Sequence, residues 1–285
     1  MADGRLLEVI TAGQEDALPL LFQSGTPSAA VVFEPQLEAA ARHGLRTILY
    51  SRPGYAGSTP HPGRSVADCA ADVAAILDAL NEQHFVTIGW SGGGPHALAC
   101  AALLPDRCAA TATIAGVAPY PAEGLDFLAG MAEENVVEFS LAIQGAEHVK
   151  QYMEAQRPLF EAITGATIAD ALGGLVSDVD KASLTDDFAD YVATSFRRAL
   201  SQGIEGWLED DTAFVNPWGF DLASIRRPVT IWQGGEDRMV PYAHGEWLAG
   251  HVPGARPRLF PEHGHLSLAV GSLDRILGEL AAAAG

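Results

Sequence analysis

Apolar and polar positions follow two rhythms along this chain. Short apolar runs at Pro19–Phe22, Arg46–Tyr50 (RTILY), Phe85–Ile88, Ala109–Ala115, Pro228–Gln233 (PVTIWQ) and Arg258–Phe260 read as buried strands. Arg5–Ile10 reads as a further short strand before the polar turn Gly13–Asp16. Helical spacing separates them. Val66–Leu80 carries Val66, Ala70, Val73, Ile76, Leu77 and Leu80 at intervals of three and four, as an amphipathic helix requires. Pro35–His43 (stopped by Gly44), Pro95–Leu104, Tyr242–His251 and Leu266–Ala283 read as further helices. This alternation predicts an α/β fold with a mostly parallel central sheet flanked by helices.

Between about Val117 and Phe220 the alternation stops. No convincing strand occurs there; Glu133–Gln144, His148–Phe160 and Asp187–Ala199 read as helices, with breaks at Gly173-Gly174 and Gly203. The pattern predicts a core built from residues 1–116 and 221–285, interrupted by an inserted helical lid at 117–220.

Composition narrows the options. With 285 residues and 48% hydrophobic content, the chain can bury one large core. A formal net charge of -19, with no Lys/Arg cluster, excludes a surface that neutralises runs of phosphates, so no nucleic-acid partner is expected. No apolar run reaches about 18 residues without a charge or turn signal, so no membrane span is expected. The N-terminus lacks a basic segment followed by an apolar run, so no signal peptide is expected. Cys69, Cys100 and Cys108 suit small buried hydrophobes in a reducing, cytoplasmic compartment better than a disulfide framework.

The candidate chemistry starts at residues 85–98, FVTIGWSGGGPHAL. A strand ends in Gly89-Trp90-Ser91-Gly92-Gly93 and a helix follows. Glycines around a serine at such a turn let strand and helix approach while the serine sits exposed on a strained backbone, and the helix start aims N–H groups at developing charge. Ser91 is then a nucleophile and the Gly92 N–H an oxyanion donor. A serine hydroxyl needs a base and a group to orient that base. Asp237, in the Gly234-Gly235-Glu236-Asp237 loop after Pro228–Gln233, is the expected acid, with Glu236 its nearest rival and Glu123 a distant one. His265, after Gly264 and before the last helix, is the expected base, with His263 its rival. No histidine pair has metal-binding helical spacing, so neither a metal nor a cofactor is expected.

The order Ser91, Asp237, His265 resembles that of the α/β-hydrolase fold. LLFQSGTP, YSRPGYAGSTP, GWSGGGPHALACAALLPDR, GGEDRMVP and HGHLS resemble that family's oxyanion, Arg-Pro-Gly, nucleophile, acid and base segments in sequence order. The resemblance implies that the backbone N–H of Thr26 is the second oxyanion donor. Ser24 stands where the family usually has histidine, and Ser51 where it usually has aspartate, which implies altered loop packing more than lost activity. A serine nucleophile sets the chain apart from the family's epoxide hydrolases and haloalkane dehalogenases, which use aspartate there. The proline iminopeptidases resemble it in lid placement, but their elbow and oxyanion signatures are absent. The expected activity is therefore cleavage of a small-molecule carboxylic ester through an acyl-enzyme, the alternatives being another acyl or carbon–carbon bond hydrolase, a perhydrolase or an aminopeptidase on the same three residues, or a low-turnover ligand-binding member of the fold. Phe127, Phe139, Tyr152, Phe160, Tyr191, Phe196, Trp207, Phe214 and Trp218 are candidates for the acyl pocket or for the lid's own core. Trp90 is expected to pack rather than to contact substrate. Glu133, Glu134 and Glu138 are expected on a solvated helix face, with amine binding as the alternative.

Overall fold

A computed structural model describes all residues, Met1–Gly285. The elements run β1 (Val9–Ala12), β2 (Leu18–Gln23), α1 (Glu34–Arg42), β3 (Leu45–Tyr50), α2 (Cys69–Ala79), β4 (Phe85–Trp90), α3 (Gly93–Leu103) and β5 (Cys108–Ile114). Six helices follow: α4 (Glu133–Gln144), α5 (Ala146–Ala162), α6 (Ile168–Leu172), α7 (Asp178–Ser183), α8 (Asp186–Ala199) and α9 (Glu205–Phe214). The chain then returns to β6 (Val229–Gly234), α10 (Tyr242–His251), β7 (Arg256–Phe260), α11 (His265–Gly271) and α12 (Leu273–Ala284).

The sheet order is β1-β3-β2-β4-β5-β6-β7, with only β1 antiparallel. Side chains alternate between its faces. Leu21 and Phe85 join the apolar cluster on one face; Leu20, Phe22, Val86 and Ile88 join the cluster on the other. Burial on both faces explains why β2 and β4 read as near-continuous apolar runs. The order reverses between β2 and β4, so the loops leaving their C-terminal ends face each other across a crevice, the usual place for a ligand in such sheets.

Several segments differ from the sequence expectation, the short helices α6 and α7 among them. Residues 5–8 do not join the sheet: Arg5 pairs with Asp72 on α2 at 2.8 Å, and the backbone N–H groups of Leu6 and Glu8 donate to Thr59 and Ser58. β7 begins at Arg256 and includes Pro257, tolerable because β7 is an edge strand. The expected single C-terminal helix breaks at Ser272 into α11 and α12. Helix α9 was not expected; its Glu-Asp-Asp run, residues 209–211, masks its apolar face. No helix is long and apolar enough to cross a membrane. All three cysteines are free and buried, and burial pushes the Cys108 thiol up to about 12.

Candidate active site

Ser91 leaves the end of β4 with a φ of 56°, a left-handed conformation that non-glycine residues rarely adopt. Its neighbours explain how the chain holds it there. A Cβ on Gly89 would strike the Gly93 carbonyl, and one on Gly93 would strike the Gln23 carbonyl of β2. Gly94 passes the loop after β5 so closely that an added Cβ would lie 2.7 Å from the Gly116 Cα. The Ser91 N–H donates to the Ile114 carbonyl at 2.8 Å, pinning the turn to β5.

The loop after β2 sits against this turn. A Cβ on Gly25 would lie 3.4 Å from the Ser91 Cβ, and one on Gly92 would lie 2.9 Å from the Thr26 Cβ. The backbone N–H groups of Thr26 and Gly92 donate to no protein acceptor.

Arg52 holds that loop from behind. Its guanidinium donates to the carbonyls of Ser24 at 2.5 Å and Gly25 at 2.8 Å and to the Thr26 hydroxyl at 3.0 Å. Asp210 of α9 then accepts from Arg52 at 2.5 Å, Arg64 at 2.7 Å, Tyr55 at 2.9 Å and the Thr26 hydroxyl at 2.7 Å. Burial alone would raise the Asp210 carboxyl, but Arg52 and Arg64 hold it well below the ordinary carboxylate range. Ser51 also has a local role, accepting from the Ala30 N–H at 3.0 Å and donating to Glu8 at 2.9 Å. His96, at the start of α3, sets Nδ1 2.8 Å from the Gly92 carbonyl; burial, aided by Arg52, pulls its imidazole down to about 3 and keeps it neutral.

Asp237 and His265 meet at the ends of β6 and β7. His265 Nδ1 lies 2.9 Å from Asp237 Oδ2. Asp237 Oδ1 accepts from the N–H groups of Met239 at 2.9 Å and Val240 at 2.8 Å, and Oδ2 also accepts from Gln233 at 3.1 Å. With both Asp237 oxygens accepting, the hydrogen between the two residues is placed on His265 Nδ1, and Nε2 carries the free lone pair. Burial pulls the imidazole pKa down, but Asp237 and then Asp180 overcome it and leave it above the ordinary value. Ser91 and His265 line one cleft with Gly25, Thr26, Trp90 and Met239. The rivals lie elsewhere. Glu236 and Glu123 are exposed, and the His263 ring packs on Phe260 at 5.7 Å.

Sequence reasoning missed Asp180. This α7 residue accepts from the N–H groups of His265, Leu266 and Ser267, each at 2.9 Å, and so caps the start of α11. Gly264 is glycine because a Cβ there would run into the Asp180 carboxylate. Trp90 packs with its ring centroid 5.8 Å from that of His265 and its indole N–H toward the His265 carbonyl, and it also lines the cleft that was expected to exclude it.

An adjoining cleft shares Ser91 and Thr26. Phe139, Phe160, Phe196, Trp207 and Phe214 line it, whereas Phe127 and Trp218 pack into the apolar core. Glu133 is exposed, and Glu134 accepts from the Gly174 N–H at 3.1 Å. Glu138 is not on a solvated face: it lines this cleft and accepts from the Trp207 indole at 2.7 Å.

Comparison with known proteins agrees with this architecture. The chain is 29% identical over 235 residues to a non-heme chloroperoxidase of Streptomyces lividans, spanning 81% of this chain and 78% of the relative. It is 28% identical over 235 residues to a pimeloyl-[acyl-carrier protein] methyl ester esterase of Aromatoleum aromaticum, spanning 78% and 81% respectively. A thermophilic esterase from Thermogutta terrifontis superposes with a TM-score of 0.66 at 19% identity, covering 98% of this chain and 93% of that one, and so bears on the fold alone. The α/β hydrolase fold family matches residues 19–272, almost the whole of the sheet, the helical insertion and the loops around Ser91, and the chain therefore belongs to that family.

Proposed function

We propose that the protein is a serine hydrolase that cleaves carboxylic esters of small molecules through an acyl-enzyme. The observation that carries this reading is the 2.9 Å contact between Asp237 and His265 in the wall of a cleft that Ser91 also lines. His265 Nε2 takes the Ser91 proton as the Oγ attacks the ester carbonyl carbon. The N–H groups of Thr26 and Gly92, free of protein acceptors, receive the oxyanion. Collapse breaks the carbon–oxygen bond, and the imidazolium returns its proton to the leaving alcohol. Water, deprotonated by the same histidine, then releases the acid. Asp237 keeps the Nδ1 proton in place and stabilises the imidazolium. The helices 117–220 act as a lid over the cleft, and their aromatics form the acyl pocket.

The test is fluorophosphonate adduction read by intact mass and mapped by peptide sequencing, alongside a panel of short p-nitrophenyl esters. The adduct is expected on Ser91, and Ser91→Ala should lose turnover by several orders of magnitude. Full esterase activity in Ser91→Ala would overturn the assignment. Similarity to a chloroperoxidase favours a second reading on the same site. Hydrogen peroxide in place of water would release a peracid from the acyl-enzyme; peracid formation outpacing hydrolysis would select that reading.

A further inference from the structure

Glu138 of α4 and Asp211 of α9 bring two carboxyl groups together in the cleft beside Ser91. Burial raises both above the ordinary carboxylate range, and Glu138 pushes Asp211 further up. Two carboxyl groups this close oppose each other's ionisation, and a cation bound between them would favour the ionised form. Asp210, next in sequence, has Arg52 and Arg64 to balance it; the pair has no such partner. No Lys, Arg or His lines this cleft. One oxygen of Glu138 is held by the Trp207 indole, whereas Asp211 Oδ2 is buried and accepts from no N–H or hydroxyl donor, in a residue only 1% exposed. Buried acceptors of this kind are costly and are normally satisfied. The remaining walls are largely aromatic and aliphatic, and aromatic faces attract cations.

We propose that Glu138 and Asp211 form a binding site for the ammonium group of the substrate, so that the preferred esters carry a primary amine on their acyl part. The inference rests on the ester-hydrolase reading for the position of the scissile bond, but not for the presence of the cation site. The ammonium would donate to Asp211 Oδ2 and to the Glu138 carboxylate, and would neutralise the charge of the pair. The apolar walls would take the rest of the acyl chain. Ser91 attack is unchanged; the pair sets which acyl groups reach it.

Two measurements separate this inference from the reading it rests on. The first is binding of hexylammonium chloride and of 1-hexanol to Ser91→Ala by calorimetry, which needs no turnover. Hexylammonium is expected to bind at least about tenfold more tightly, the contribution of one charge-assisted hydrogen bond. Asp211→Asn combined with Glu138→Gln is expected to abolish that preference, with circular dichroism reporting on folding. Where the double variant fails to fold, Asp211→Asn alone is used. The second is the ratio of kcat/KM for ethyl 6-aminohexanoate to ethyl hexanoate, and for L-leucine ethyl ester to ethyl 4-methylpentanoate. N-acetyl-L-leucine ethyl ester controls for the inductive effect. At least one amino ester should be favoured about tenfold, and the ratio should collapse in the variants. Equal binding of hexylammonium and hexanol, or a preference that survives in the variants, overturns the cation site. Ester turnover with no amine preference in either measurement also overturns it and leaves the hydrolase reading standing. Ammonium binding with no ester hydrolysed does the reverse.

Discussion

Asp180 and His265 are 85 residues apart in sequence, yet the Asp180 carboxylate accepts the backbone N–H of His265 at 2.9 Å. The same carboxylate takes the next two N–H groups, so one residue of the helical insertion fixes the backbone that carries the proposed base. It also adds a negative charge that raises the imidazole pKa.

Asp180 is therefore expected to act as a positioning residue. Asp180→Ala leaves three N–H groups without their acceptor and should cost roughly 3 kcal/mol of stability, measured by denaturant unfolding. Asp180→Asn retains one acceptor oxygen but loses the charge. Its kcat/KM profile should move its acid limb to lower pH, which a purely structural role would not do. A profile that overlays the wild type would reduce Asp180 to a helix cap.

The acid limb itself follows from the histidine. His265 must be neutral to accept the Ser91 proton, and its pKa lies above the ordinary 6.5. Accordingly, kcat/KM should rise with pH through a midpoint above 6.5. Asp237→Asn removes the leading charge that opposes desolvation, so the midpoint should fall while turnover drops by about three to four orders of magnitude. Stability runs the other way. A raised imidazole stabilises the fold fully below the unfolded pKa, and that contribution is lost as pH rises through the folded value. A wild-type midpoint below 6.5 would contradict the Asp237–His265 coupling.

Asp210 ties α9 to Thr26 in the loop beside Ser91 and to Arg52, Tyr55 and Arg64 in the segment after β3. Asp210→Ala strands Arg52 without a counter-charge and leaves Arg64 with Glu209 alone, both arginines being nearly inaccessible to solvent. Breaking a buried pair from one side costs about 3–5 kcal/mol, and Arg52 would also lose its grip on the Ser24 and Gly25 carbonyls. The expected result is a large fall in unfolding free energy, with kcat falling in whatever fraction stays folded. A loss of less than about 1 kcal/mol would mean that solvent reaches this network and screens it.

Residues whose surroundings are local were legible in the sequence. Ser91 is framed by glycines within three positions, Asp237 receives N–H groups from two and three positions on, and both mark strand ends. Residues whose meaning depends on distant partners were not. Asp210 finds Arg52 at a separation of 158 positions, and Asp180 finds its three N–H donors at 85 to 87. Helix α9 escaped notice because three of its ten residues, 209–211, are consecutive acids. In isolation that run suggests a solvated turn. In the fold, Glu209 faces Arg64, Asp210 faces Arg52 and Arg64, and Asp211 faces Glu138. Glu138 was expected among solvated acids for the same reason; only tertiary packing places it beside Trp207.

The same pair makes a prediction about stability. Burial raises the Asp211 carboxyl well above its ordinary value, and Glu138 adds to that. The native state thus binds this proton more tightly than the unfolded chain does. A raised carboxyl destabilises the fold above its native pKa, and the cost disappears as pH falls below the unfolded value. Asp211→Asn removes the titration and can still donate to Glu138 through its amide. It should therefore be more stable than the wild type near pH 7.5, and the gap should close on approach to pH 4. A tenfold difference in proton affinity is worth about 1.4 kcal/mol, and the gain at pH 7.5 should be at least of that order. The measurement is urea unfolding of both proteins across that range. A pH-independent gap would show that Asp211 does not titrate between the two states. A gain in stability coupled to loss of ammonium binding would identify the buried acid pair as a feature retained for recognition at the expense of the fold.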